Sequence, residues 1–239
     1  GLALLASCQK ADQGARLTEI LDRVSIEILR ESPERSTSLG VTEEQAGGRF
    51  IDKLSDASKD GARRYRARLE TALADLGGLN RERLTPQDAV TLDVVSTSFQ
   101  NSVANARFEV GGGAGAPYVV TQLTGAYTDV PDFMDSQHPL RTRDEAEAYL
   151  TRLGEYVRQL DQETAIIAED AGAGVVAPDF AIDKALLQLG QFAATAPAQT
   201  VLVQSLARRL PEVTEIPEAE RAGFATRAET IVRDQILPA

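Results

Sequence analysis

TRDEAEAYLTRLGEYVRQLDQETAIIAED, residues 142–170, reads as one long helix from cap to stop. Thr142 and Glu145 stand at capping-box spacing: the Thr hydroxyl can accept the N–H of Glu145, whose carboxylate can accept the N–H of Thr142. Tyr149, Leu153, Tyr156, Leu160 and Ile167 then recur at helical spacing and build one apolar stripe, and Gly172 and Gly174 close the run. Arg152 and Arg158 are interspersed with acids, as are Arg208 and Arg209 further on, and read as solvated helix faces.

The flanking chain keeps the same rhythm. Helices are expected over about 11–31, ended by Ser32-Pro33, and over 56–76, with Tyr65, Leu69, Leu73 and Leu76 inward and a Gly77-Gly78 stop. Thr85-Pro86-Gln87-Asp88 has the cap, first-turn proline and first-turn acid of a third helix reaching about 107, with Val90, Val94, Val95 and Phe99 as its stripe. Further helices are expected over 179–194 (Phe180, Leu186, Leu187, Leu189, Phe192), 198–210 and 217–237. No sustained period-2 alternation and no fixed-length repeat competes with this pattern. The fold class is all-α, an irregular multi-helix bundle.

Composition agrees. Aromatics make up 5% of 239 residues and Trp is absent, so the core must be Leu, Ile, Val and Ala, which suits helix-on-helix packing. A net charge of −11 with no Lys/Arg run repels phosphate backbones, and nucleic acid is not an expected partner. The lone Cys rules out a disulfide framework within the chain. Its setting, Leu5-Ala6-Ser7-Cys8, has the form of a bacterial lipobox, in which the Cys is acylated. Residues 1–8 are then the tail of a signal peptide, 9–14 a tether and 15–239 the helical region. Gln9, which is not Asp, favours the outer membrane, facing the periplasm.

The segment 108–142 departs from the helical rhythm and is expected to be one long ordered loop. It holds GGGAGA at 111–116, the single histidine His138, and Asp129, Asp132 and Asp135. Gly111, Gly113 and Ala116 mimic a dinucleotide spacing without the strand before and helix after that the chemistry needs. One histidine cannot supply a two-histidine zinc motif or, without a G-x-S-x-G elbow, a convincing hydrolase triad. The three aspartates more often cap short helices than hold a cation. No catalytic residue, metal ligand or cofactor is assigned within the chain.

Residues 117–153 resemble a bacterial family catalogued as domain of unknown function 885. The shared positions are Pro117, Tyr118, Val120, Gln122 and Gly125, then Val130, Pro131 and Phe133. A helix start follows at Thr142, Glu145, Ala146, Tyr149, Leu150, Arg152 and Leu153. The segments LSDAS, LTPQD and IVRDQILPA resemble the family too, and the likeness runs from about residue 15 to the end. It implies a helical, zinc-metallopeptidase-like fold of which this chain matches only the N-terminal part. The family's His-Glu-Ala-x-Pro-Gly-His motif lies far C-terminal of the matched region, so no zinc ligand can be carried over; zinc and a peptide substrate are expectations for a longer protein. An open alternative is a non-catalytic binding or scaffolding lipoprotein. A part of a larger fold should expose an apolar face above about a few hundred Å², to be covered by the missing half or by an oligomer partner, whereas a stand-alone module should not. Tyr118, Gln122, Tyr127 and His138 are the candidate cleft-lining residues, against the plainer reading that Val119, Val120, Val130 and Phe133 merely pin the segment down.

Overall fold

The computed structural model describes residues 2–112 and 116–239, with side chains from residue 13 onward. The acylation expected at Cys8 therefore lies outside the described side chains. The helices are α1 (Leu2–Glu31), α2 (Pro33–Leu39), α3 (Lys59–Gly77), α4 (Pro86–Asn105), α5 (Ala126–Ser136), α6 (Arg143–Gly172), α7 (Asp179–Ala194), α8 (Val201–Arg209) and α9 (Glu218–Ile231). A short π turn over Val232–Ile236 takes the place of the last turns expected of α9. Among the described residues the single β feature is an isolated bridge between Thr121 and Thr124. The fold is all-α.

Two compact units divide the chain, one of residues 1–28 and 59–109, the other of residues 29–58 and 110–239. In the first, Leu17, Leu76, Leu79, Leu84, Ala89 and Leu92 form a small core, with Ile20, Leu21, Val95 and Phe99 packed against it. Thr85 caps α4 as its sequence requires, accepting the Asp88 N–H at 3.2 Å. The expected stripes hold in part: Leu69, Leu76, Val95 and Phe99 pack inward, whereas Tyr65, Val90 and Val94 face solvent and Ala72, Ala89 and Leu92 take further inward positions.

The second unit is built around α6. The capping box at its start is present in both directions, Thr142 and Glu145 each accepting the other's backbone N–H at 3.1 Å. Tyr149, Leu153 and Tyr156 are completely buried, and α5, α8, α9 and the π turn close around them through Met134, Leu202, Leu206, Phe224 and Val232. Ile167 points outward and Ile166 takes its place.

Two helices occupy stretches expected to be loop. Pro33 ends α1 and, as the first residue of α2, also starts the next helix; Gly40, at φ 64°, closes α2. The 108–142 segment is not one loop, since α5 fills 126–136 despite Pro131 within it. An interior proline costs a helix about 3 kcal/mol. Val130, Pro131, Phe133 and Met134 are all buried, and at about 1.5–3 kcal/mol for each large apolar side chain that burial outweighs the loss. What remains irregular is the crossover from α4 into α5.

Candidate functional site

α6 presents its polar groups in two places, and both converge on segments without regular structure. The first is a buried cluster around Arg152, a side chain with no solvent exposure. Its Nε donates to the Lys53 carbonyl at 2.9 Å, one terminal nitrogen to Thr37 Oγ1 at 2.7 Å and the Phe50 carbonyl at 3.2 Å, and the other to His138 Nδ1 at 2.8 Å. The guanidinium also lies 4.9 Å from the centre of the Phe133 ring. Every one of these acceptors is neutral. Burial pulls the Arg152 pKa down to about 10, against the pull of Glu34 and Asp52, so the group stays charged at neutral pH. The expectation of a solvated Arg152 is thus corrected. It sits inside the stripe, between Tyr149 and Tyr156, a position at which only a packed side chain fits.

His138 completes the cluster. Because Arg152 donates to Nδ1, the ring proton sits on Nε2, which donates to the Glu145 carbonyl at 2.9 Å. Tyr149 meets the ring edge-on with centroids 5.1 Å apart. Burial, and then the Arg152 charge, push the imidazole down to about 3. His138 is therefore a neutral core residue, 1% exposed, with both nitrogens engaged. It stands within the packing and not on the wall of an opening.

Below Arg152 on the same helix, Arg158 donates to the Leu54 and Ser55 carbonyls at 2.9 and 3.2 Å, Gln159 to the Ser55 carbonyl at 2.9 Å, and Gln162 accepts the Ala57 N–H at 2.9 Å. Glu34 of α2 accepts the Ser55 N–H at 3.0 Å. The stretch 50–57, a turn at 50–53 followed by irregular chain, is held through its backbone, which satisfies polar groups that no strand or helix covers.

The second place is the crossover into α5. Both oxygens of Glu163 accept the Ala126 N–H, at 3.0 and 2.9 Å, and so cap the first turn of α5 in place of the missing side chain of Gly125. Burial, and to a lesser extent the Asp129 charge, raise the Glu163 carboxyl to about 7, although the Ala126 N–H opposes the rise. Gly125 holds φ at 120°, and a Cβ there would come within 3.0 Å of Val120 and 3.3 Å of Tyr127. Tyr127 is buried; its hydroxyl donates to the Thr121 carbonyl at 2.8 Å and lies 2.7 Å from the Gln188 side-chain amide on α7. A phenol has one proton, so the Thr121 carbonyl and Gln188 Oε1 compete for it. Gln122 lies beside them, its Oε1 buried and without a hydrogen-bond partner among the described residues. Tyr118 is half-buried in the same crossover.

Tyr118, Gln122 and Tyr127 thus share one segment, and His138 belongs to the other cluster. Glu163 and Gln188 were not singled out from sequence, and Arg152 stood there only as a surface arginine and a position shared with the family. Chemically, the crossover offers a carboxyl that exchanges its proton near neutrality, a phenol and two amides. Among the described residues no three His, Cys, Asp or Glu side chains converge as a metal site, and His138 has no free nitrogen to offer; these residues do not fit a zinc ion. Nor is any described helix long and apolar enough to cross a membrane.

A solved structure of the same fold is described as "the putative lipoprotein from Colwellia psychrerythraea", with a TM-score of 0.85 at 18% identity. The match covers 95% of this chain but 39% of that one, so the chain spans well under half the length of that relative. No curated protein matches. The family model described as "Bacterial protein of unknown function (DUF885)" matches residues 33–239, which include both clusters and every candidate residue but Cys8: the chain belongs to the DUF885 family.

Proposed function

We propose that these residues are the helical N-terminal part of a longer, membrane-anchored, periplasm-facing hydrolase of metallopeptidase type, with the lipid on Cys8. The observation that carries this reading is the match to the Colwellia protein, where the same fold occupies 39% of a longer chain described as a "putative lipoprotein". On this reading zinc and the groups that activate water come from residues outside 1–239, and the crossover lines one wall of the substrate cleft through Tyr118, Gln122 and Tyr127. The unpartnered Gln122 oxygen supports that placement, since a buried acceptor left open costs about 1–3 kcal/mol unless something donates to it. The second reading, a non-catalytic scaffold lipoprotein, is favoured by the structural use already made of His138 and Arg152, whose bonds all serve packing.

Metal analysis and a peptidase assay on the longest product of the gene test the proposal. The expected result is bound zinc and cleavage in the long form, with neither in residues 1–239. Cleavage by 1–239 alone overturns it, and a long form that neither binds metal nor cleaves peptides leaves the scaffold reading. In an active long form, Gln122→Ala is expected to lower kcat/KM about tenfold with the melting temperature unchanged, the loss of about one hydrogen bond to substrate. Unaltered kinetics remove Gln122 from the cleft.

A further inference from the structure

α7 packs one side inward, with Ile182, Leu189 and Phe192 half-buried beside Ala181 and Ala185 and Phe192 against the core, but it leaves three large apolar side chains in solvent. Only Ala181 and Ala185 are fully buried, while Phe180, Leu186 and Leu187 are 64%, 61% and 63% exposed. Phe180 and Leu187 are seven residues apart and lie on one side of the helix, with Leu186 about 100° round from Leu187. An amphipathic surface helix keeps its outer side polar, whereas the outer side of α7 carries exposed Phe180 and Leu187 beside Asp183, Lys184 and Gln191.

We propose that the outer side of α7 is a docking surface for polypeptide beyond residue 239 of the same gene product. This rests on the reading of residues 1–239 as one part of a longer protein. The Colwellia relative, in which this fold is under half of the chain, supplies the length of additional polypeptide such a surface needs. Charge argues against other occupants. A second copy would bring together two chains of −11 each. A membrane surface calls for a basic rim, and α7 carries one lysine, Lys184, against Asp179 and Asp183. Helix-in-groove packing against an apolar face of the remaining chain meets neither objection. Docking there also reaches the crossover, because Gln188, next to Leu187, is hydrogen-bonded to Tyr127.

The test is thiol labelling of the full gene product in a Cys8→Ser background, with Leu187→Cys and, separately, Phe180→Cys, using a maleimide. The native rate is compared with that of the same protein in denaturant. The expected result is labelling slowed about tenfold or more at both positions in a monomer. Native rates within about twofold of the denatured rate overturn the proposal, whether the gene continues past residue 239 or not. Protection that vanishes on dilution, with a dimer mass by light scattering, overturns it in favour of self-association. Zinc content and peptidase activity of the same preparations are scored separately. Protected positions in an inactive protein sink the hydrolase reading and leave the docking surface; reactive positions in an active one do the opposite.

Discussion

Glu163 and His138 are two titratable groups in the same unit whose settings push them in opposite directions, and each makes a statement about pH. Glu163 is raised from the usual 4.5 to about 7. Its contribution to stability is fully present below pH 4.5, where the folded and unfolded chains are both protonated, and is lost as pH rises through 7 and the half-buried carboxylate must ionise. His138 is depressed to about 3, so its contribution is present above pH 6.5 and is lost as pH falls toward 3. Glu163→Gln keeps an acceptor for the Ala126 N–H and removes only the titration. Denaturant unfolding at intervals from pH 5 to pH 8 should show the variant gaining on the wild type by about 1–2 kcal/mol, discounted for partial exposure of the carboxyl. Because His138 is common to both proteins, it drops out of the difference. A difference that stays flat across this range would remove the raised carboxyl from the account. Arg152, bonded to His138, was misread from sequence because charge was weighed before position. Its place between Tyr149 and Tyr156 on the apolar stripe was the available signal, and helical geometry alone puts it inside.

At the scale of the element, α5 shows how far a proline within a short apolar run misleads. Val130-Pro131 reads as a break, and the buried contacts that override it are made with residues distant in sequence, such as Leu202 and Leu206 of α8. The sharp entry to α5 depends on Gly125. With φ at 120° and the space of a Cβ already taken by Val120 and Tyr127, Gly125→Ala combines backbone strain with a steric conflict. It is expected to destabilise the protein by about 2–4 kcal/mol, read as a shift of the denaturant midpoint with the slope unchanged. A variant as stable as the wild type would mean that the crossover relaxes freely, and the placement of Tyr127 and Gln122 beside Glu163 would lose its basis. By contrast, α4 and α6 begin within a residue of where Thr85, Pro86 and Thr142 place them. Such boundaries are set by local hydrogen bonding, which is written in neighbouring residues.

For the whole molecule, the all-α class was legible because helical periodicity and composition agree over most of the chain. Which side of each helix faces inward was less so, since Tyr65, Val90 and Val94 are as apolar as the residues that displace them. Only the partner helix decides between them. The candidate site was legible in part: the segment holding Tyr118, Gln122 and Tyr127 stood out by its break in rhythm, while Glu163, 36 residues beyond Tyr127, gave no local sign. The exposed ion pairs, such as Arg227 with Glu147 and Arg143 with Glu220, add about 0–1 kcal/mol each and do not alter this picture. One further consequence follows from the way α6 holds residues 50–57. Arg152, Arg158 and Gln159 seize main-chain oxygens, and a carbonyl is the same whatever residue owns it. That strip can accordingly exchange outward-facing side chains through evolutionary drift, or accept an engineered tag or recognition sequence, while the anchoring arginines tolerate almost no replacement.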